Sequence, residues 1–215
     1  MHKQSQKPAT QRRPTKVAKK LTKKAQKRAF ASGNFKLPGF VNEHAKEYAP
    51  GAADTLALQA ACKQVRAETV EIPAIIGGKA YYSKNVARQV IPSDHKTVIA
   101  NIHMATPDMI HDAIHHAVKA QKDWAAMPQQ HRNAVFRKAA DLIATKHRAR
   151  MNAVTMMGTG KTPWQAEIDC IQEQADFLRL NTNFAEELLD EQPPLHTAGT
   201  WNRLRYRPLE GFVAA

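Results

Sequence analysis

Basic residues are concentrated at one end of this 215-residue chain, and this restricts where a folded core can form. Residues 1–41 contain twelve Lys or Arg and no Asp or Glu, whereas the remaining 174 residues contain 20 basic and 19 acidic residues. A segment with charges of one sign repels itself, and this one has few apolar side chains to bury. We therefore predict a basic tail, extended or helical, over residues 1–34, followed by a folded domain.

The charge density of the tail exceeds what a solvated helix face needs, so a polyanion is its predicted partner. Contacts of this kind are made to phosphates, weaken as salt is added and are largely indifferent to base sequence. We predict RNA as the partner. The predicted RNA-binding residues are Arg12, Arg13, Lys16, Lys19, Lys20, Lys23, Lys24, Lys27 and Arg28.

Two other interpretations of the tail remain open. Val17, Leu21, Ala25 and Ala29 are spaced four residues apart and would share a helix face, as in a mitochondrial transit peptide. The tail is, however, richer in Lys than in Arg and has few Ser. A disordered solubilising segment has a similar composition. The residues alone do not separate these alternatives from nucleic-acid binding.

Extended patterns follow a first helix in the region after the tail. Residues 53–67 have apolar side chains at helical spacing, at Leu56, Ala60 and Val65. Residues 71–83 place β-branched residues before a Gly-Gly pair and aromatic residues after it, which predicts a hairpin. Residues 88–103 predict two short strands separated by a Ser-Asp-His turn.

Three helical patterns come next. Thr106 precedes a proline and an apolar series, which predicts a capped helix. Residues 129–147 predict a second helix, and a third begins at Thr162, where Gln165 completes a capping-box pattern. The predicted inward side chains of these helices are Ile110, Ile114, Ala117, Val118 and Trp124 in the first, Val135, Ala139, Leu142 and Ile143 in the second, and Ile168, Ile171, Ala175 and Leu178, with Phe177 as a further candidate, in the third.

The last part of the chain predicts a strand. Two prolines, Pro193 and Pro194, end the helical pattern. Beyond them, residues 200–208 place three arginines at alternate positions against apolar and aromatic residues, which indicates a strand with one basic face. The three arginines are Arg203, Arg205 and Arg207.

Several short motifs favour structural over chemical interpretations. Residues 158–162, GTGKT, resemble the end of a phosphate-binding loop, but the full pattern needs Gly at position 155 and a preceding strand, whereas Thr155 lies in a helical pattern. His111 and His115 are one helical turn apart without the accompanying Glu of a zinc motif. Cys62 and Cys170 form no Cys-x-x-Cys pair and are expected to be reduced thiols. Asp169, Glu173 and Asp176 are expected to be solvated charges.

Three strings carry a family resemblance: FKLPGFVNEHAKEYAPG at 35–51, MGTGKTPWQAEID at 157–169 and LEGFVAA at 209–215. In this order they resemble the N-terminal part of the delta-1-pyrroline-5-carboxylate dehydrogenases, mitochondrial members of the aldehyde dehydrogenase superfamily. The resemblance implies an α/β fold: a truncated aldehyde-dehydrogenase-like N-terminal region over 35–194, made of helices and short strands, and then an oligomerisation or docking β arm and terminal strand over 195–215. By this resemblance the partner-docking residues are Arg203, Arg205 and Arg207.

The resemblance also bears on catalysis. In these enzymes a Pro-Phe-Asn motif, the glycine-containing cofactor loop, the general-base glutamate and the nucleophilic cysteine all follow the segment that resembles LEGFVAA. If the 215 residues are the whole protein, we expect no enzyme activity. No catalytic, cofactor-binding or metal-binding residue is then expected, and neighbouring proteins should cover the truncated sheet and the arm.

Three functional hypotheses follow. The tail favours a non-catalytic structural subunit of a large RNA-containing assembly in the mitochondrial matrix, most plainly a ribosomal protein derived from a dehydrogenase fragment. The first alternative is the N-terminal half of a split NAD-dependent dehydrogenase, whose partner is a C-terminal dehydrogenase polypeptide. The second is a structural subunit of a mitochondrial membrane complex, since basic tails also bind anionic lipid.

Overall fold

The computed structural model describes residues 39–215, which form a mixed α/β fold. The predicted RNA-binding residues of the tail lie outside the described residues, as do residues 35–38 of the predicted domain. The elements, in chain order, are helix α1 (Ala53–Ala67), strands β1 (Val70–Ile72), β2 (Ala74–Ile76), β3 (Lys79–Tyr81), β4 (Val86–Ile91) and β5 (Asp94–His103), helices α2 (Pro107–Ala126), α3 (Gln129–Ala144), α4 (Arg148–Thr159) and α5 (Pro163–Ala166), a π-helix (Glu167–Gln172), and helix α6 (Glu173–Asp190).

The strands form two small sheets. β2 and β3 make an antiparallel hairpin across Gly77 and Gly78, whose φ angles of +56° and +79° suit glycine, so the predicted hairpin is confirmed. The other sheet has the order β1-β5-β4. In it β5 pairs in parallel with β1 and antiparallel with β4. The two strands predicted over 88–103 are also confirmed, although the turn between them falls one residue earlier than predicted.

The helix predicted at 53–67 forms with those bounds, but its buried face differs from the predicted one. Leu58 and Val65 are buried, whereas Leu56 is exposed. The buried pair packs in a core with Ile91, Ile99 and Ala153, drawn from β4, β5 and α4. α1 therefore presents to its neighbours a face rotated from the one that spacing alone favoured.

α2 is a long amphipathic helix, and none of its residues is buried within residues 39–215. Its predicted start is confirmed, because the Thr106 hydroxyl accepts a hydrogen bond of 3.3 Å from the Met109 backbone N–H. The apolar face predicted to point inward is largely open, with Ile110, Val118 and Trp124 all exposed. Within residues 39–215 this helix lacks most of the packing that an amphipathic face of this length normally finds.

The predicted inward stripe of the helix at 129–147 is wrong in part. Val135 is 54% exposed, and the buried positions of α3 are Asn133, Ala140 and Ala144. Asn133 donates a hydrogen bond of 3.3 Å to the Thr182 carbonyl of α6, so a polar contact sets which face of α3 turns inward. Small alanines at the other two positions allow the two helices to approach closely.

A continuous helical run occupies residues 163–190. The capping box between Thr162 and Gln165 is confirmed, with both of its hydrogen bonds present. Ile171 and Ala175 are fully buried as predicted. The run ends at Asp190, before the two prolines. Its middle six residues form a π-helix, which the sequence pattern did not predict.

Residues 195–215 contain no strand. The strand predicted at 200–208 and the terminal strand implied by the resemblance are therefore both wrong. The segment is exposed throughout. A strand needs a neighbouring strand to pair its backbone groups, and no strand lies along this segment within the described region. The proposed division into a tail, a domain and a docking arm, and the docking role of the arm, remain predictions.

Candidate functional site

Charged side chains from three parts of the chain meet at the start of α4. Arg148 donates from Nη1 to Glu43 Oε1 at 2.8 Å and from Nε to Glu167 Oε1 at 3.0 Å, and its Nη2 also pairs with Glu167. Arg148 is buried and Glu167 is 0% exposed. Two carboxylates, one from the segment before α1 and one from the π-helix, therefore share a single buried guanidinium.

The second oxygen of Glu167 is also occupied. Tyr48 donates its hydroxyl proton to Glu167 Oε2 at 2.7 Å, and Asn152 Nδ2 lies 2.7 Å from the same oxygen. The backbone N–H of Lys46 donates to Oε1 at 2.9 Å. Tyr48 has a φ of +51°, an uncommon backbone conformation for a bulky side chain. We attribute its retention to the hydrogen bonds that hold its hydroxyl in place.

The network continues to α6. Arg179 Nη1 donates to Glu43 Oε2 at 2.7 Å, so Glu43 lies between two guanidinium groups. Asp176 accepts from the Glu43 backbone N–H at 2.6 Å and from Asn42 Nδ2 at 2.9 Å. Asp176 is therefore an anchor for the chain before α1, and the expectation that it is a solvated charge is wrong. Residues 42–48 are thereby fastened across the helical region.

The pKa values of this network follow from a balance of burial against hydrogen bonding. Burial alone would raise the pKa of Glu167, but donors from Arg148, Tyr48, Lys46 and Asn152 hold it below its usual value of 4.5. The pKa of Glu43 is lowered in the same way by its two arginines, against the effect of burial. Both carboxylates are therefore ionised at neutral pH. Because their oxygens are taken up by fixed donors, the network holds charge in place and offers no acid or base to a substrate.

Sequence reasoning missed this network. The helix predicted over 129–147 ends at Ala144, and Arg148 begins the next helix, where it is buried. One signal was available: Glu167 stands four residues before Ile171 and so falls on the predicted apolar face of its helix. A carboxylate on such a face needs a buried cationic partner. The identity of that partner was not readable, because it lies 19 residues away.

A largely apolar groove lies on the face of the three-stranded sheet, and we call it the sheet groove. Its volume is about 420 Å³. Val70 and Ile72 of β1 line it together with Ala100 and Ile102 of β5, which are their register partners. Val154 of α4 forms the opposite wall. Further lining residues are Val65, Gln89, Ile99, Arg150, Thr155, Gly158 and Thr159.

A second groove lies between α2 and the end of the chain, with a volume of about 540 Å³. Leu209, Phe212 and Val213 line one side, and Trp124 lines the other. The Leu209 carbonyl accepts a hydrogen bond of 2.8 Å from Gln121 Nε2. The end of this chain therefore covers part of the open face of α2, with apolar side chains that are themselves still exposed.

The predicted docking arginines lie in the exposed segment after the two prolines. The Arg203 guanidinium sits 5.2 Å from the centre of the Trp201 ring, in cation–π contact. Arg207 pairs with Glu210. Arg205 is exposed. The structure does not bring the three arginines together into one site.

Residues 158–162 lie where α4 ends and α5 begins, and they do not form a phosphate-binding loop. α4 ends at Thr159, Gly160 adopts a left-handed φ of +76°, and its N–H donates to the Met156 carbonyl. Lys161 pairs with Asp169. The Gly160 N–H is therefore taken up by the end of α4 and does not point toward a bound phosphate.

The remaining candidate ligands stay apart. Residues 39–215 contain no group of three or more His, Cys, Asp or Glu placed to hold a metal ion. His115 and His116 contact each other edge to face. Cys62 and Cys170 are free thiols, as expected, and burial raises the pKa of Cys62. No helix in this part of the chain is long and apolar enough to cross a membrane.

Residues 81–215 match the model of the aldehyde dehydrogenase family. This chain belongs to that family. A probable delta-1-pyrroline-5-carboxylate dehydrogenase of Schizosaccharomyces pombe is 48% identical over 182 residues, which cover 84% of this chain and 33% of that relative. A mitochondrial delta-1-pyrroline-5-carboxylate dehydrogenase of Dictyostelium discoideum is 42% identical over 186 residues, covering 86% of this chain and 33% of the relative.

Solved aldehyde dehydrogenase structures give the same result for the fold. The crystal structure of the delta-pyrroline-5-carboxylate dehydrogenase from Mycobacterium tuberculosis superposes with a TM-score of 0.82 at 35% identity, over 84% of this chain and 34% of that chain. The predicted resemblance and fold class are confirmed. The chain corresponds to the N-terminal portion of these dehydrogenases and spans about a third of their length. The relatives named above are all dehydrogenases, so they give no support to a ribosomal or RNA-binding role.

Proposed function

We propose that this chain supplies the N-terminal third of a delta-1-pyrroline-5-carboxylate dehydrogenase. In this proposal the other two-thirds of the fold, on the same or a partner polypeptide, holds the NAD cofactor and the reacting residues. The observation that carries the proposal is 48% identity over 182 residues to a relative of which this chain covers 33%. The location that goes with this proposal is the mitochondrial matrix, since several relatives carry the word mitochondrial in their names.

The open surfaces of the chain support this proposal. The apolar face of α2 and both grooves are exposed in residues 39–215, and contiguous apolar surface of this kind marks an interface. The buried ion network gives the chain a fixed shape that such an interface needs, because it fastens residues 42–48 onto α4, the π-helix and α6. The role we assign is therefore structural support for catalysis performed elsewhere in the fold.

The test is reconstitution with the missing two-thirds. The part of the Schizosaccharomyces pombe relative that follows the matched residues would be co-expressed with this chain, and NADH formation from delta-1-pyrroline-5-carboxylate would be followed by absorbance. A single-chain chimera, in which the 182 matched residues replace their counterpart in that relative, would be assayed in parallel.

We expect activity from the chimera and from the co-expressed pair, and none from either half alone. An active chimera beside an inactive pair would show that this portion works only in a continuous polypeptide. A folded chimera without activity would overturn the proposal. Ribonuclease-sensitive co-sedimentation of the 215-residue chain with a heavy particle would favour the RNA-containing assembly instead.

A further inference from the structure

The sheet groove exposes apolar side chains that proteins normally cover. β1 alternates so that Val70 and Ile72 face the groove, while Glu71 between them faces the other side and bonds His103 at 2.9 Å. Val70 and Ile72 are 38% and 43% exposed. Val154, on the opposite wall, is 45% exposed. Three β-branched side chains thus line a single cleft without cover.

The sheet around the groove is incomplete at the same place. β1 is three residues long and lies at the edge of its sheet. It pairs with β5 in parallel. Exposed edge strands and contiguous open apolar surface are both places where further protein packs. A short parallel edge strand with an open apolar face therefore indicates that further protein packs on it.

The lining chemistry selects the kind of occupant. Arg150 supplies the only charge among the groove residues of the described region, and it pairs with Glu68 at 3.7 Å on the rim. A nucleic acid or another anionic ligand would find no cluster of cations there. Apolar side chains suit the groove, and two-thirds of the matched Mycobacterium tuberculosis fold lies beyond the region that this chain covers.

We infer that the sheet groove is the seat for apolar side chains of the catalytic two-thirds of the fold, presented by a segment that lies along β1. This inference rests on the proposed function and deepens it, since it names the surface through which the two portions join. Burying the three β-branched side chains removes apolar area from water, which drives association.

The test introduces a charge into the groove and compares it with the same change outside. Val154→Asp places a carboxylate on the α4 wall, and Ile72→Asp places one on the β1 wall. Val135→Asp is the matched control, because Val135 is also a helical valine, is 54% exposed and lies outside the groove. Each variant of the 215-residue chain would be co-expressed with the remainder of the Schizosaccharomyces pombe relative and recovered by affinity tag. Circular dichroism of the free chain would show whether each variant keeps its helices.

We expect Val154→Asp and Ile72→Asp to lower recovery of the catalytic polypeptide by about tenfold or more, and Val135→Asp to change it little. Equal recovery with all three variants would overturn the inference while leaving the proposed function standing. A folded chimera without activity would count against the proposed function itself. If the free chain were a dimer that Val154→Asp dissociates, the occupant would be a second copy and the inference would be wrong.

Discussion

Replacing Arg148 by methionine should be among the most damaging single changes in the described region. Its guanidinium donates hydrogen bonds to Glu43 and to Glu167, and Glu167 is 0% exposed. Methionine keeps much of the volume and removes every donor. Breaking a buried ion pair by removing one partner typically costs about 3–5 kcal/mol, because the other charge is left buried and unpaired. That is a large fraction of the roughly 5–15 kcal/mol by which a domain is stable.

The assay is urea unfolding of the 215-residue chain, followed by far-ultraviolet circular dichroism. With a denaturant dependence of about 2 kcal/mol per molar urea, we expect Arg148→Met to lower the midpoint by about 2 M. Arg150→Met is the matched control on the same helix. The Arg150 pair with Glu68 spans 3.7 Å and both side chains are 45% exposed, so its loss should cost less than about 1 kcal/mol.

A double variant separates the lost pair from the stranded charge. In Arg148→Met with Glu167→Gln no ionised group remains fully buried at position 167, so we expect at least about 1 kcal/mol of the loss to return. Comparable midpoints for Arg148→Met and Arg150→Met would refute the reasoning. So would a double variant less stable than Arg148→Met, since the stranded carboxylate would then not be the source of the damage.

The same network sets a dependence on acid. The pKa values of Glu43 and Glu167 lie below their usual value of 4.5, so their contribution to stability is complete above about that pH and is lost as the pH falls through the lowered values. In Arg148→Met the burial effect on Glu167 is unopposed by the guanidinium, which raises its pKa. The difference in unfolding free energy between this variant and the unaltered chain should therefore shrink toward acid.

Two further predictions concern the hairpin and β5. Gly77→Ala and Gly78→Ala should each lower the melting temperature by about a few degrees, because residues with a Cβ rarely adopt φ angles of +56° and +79°; an unchanged melting temperature for either variant would contradict this. Hydrogen bonding of His103 to the backbone before β4 and to Glu71 raises its pKa above 6.5, so its contribution is complete below that pH and is lost as the pH rises through the raised value. His103→Gln should therefore lower the melting temperature more at about pH 5.5 than at about pH 8.5, and an equal effect at both would count against this charge.

Local signals in the sequence determined much of the secondary structure. Thr106 and Thr162 each mark a helix start, because a side-chain oxygen can accept a backbone N–H within the first turn. Gly77 and Gly78 mark a hairpin, because its turn needs positive φ angles. These interactions join residues that are close in sequence, so the pattern of residue types is enough to predict them.

The inward faces of the helices were predicted less well. Val135 was assigned to a buried stripe, whereas Asn133 takes the buried position through its bond to the Thr182 carbonyl. The spacing of apolar residues in one helix does not predict a polar contact between residues 49 positions apart. The face of α2 shows a different limit, because its apolar pattern is real while the described residues leave much of that face exposed.

The sequence by itself determined the family and the mixed α/β class, since both depend on residue types in consecutive order. Only the tertiary structure revealed that Arg148, Glu167, Glu43 and Tyr48 form one buried network, and that β1 and α4 leave the sheet groove open between them. Both features join residues far apart in the chain. Their contacts depend on how helices and strands are placed in space, and a one-dimensional pattern does not contain that placement.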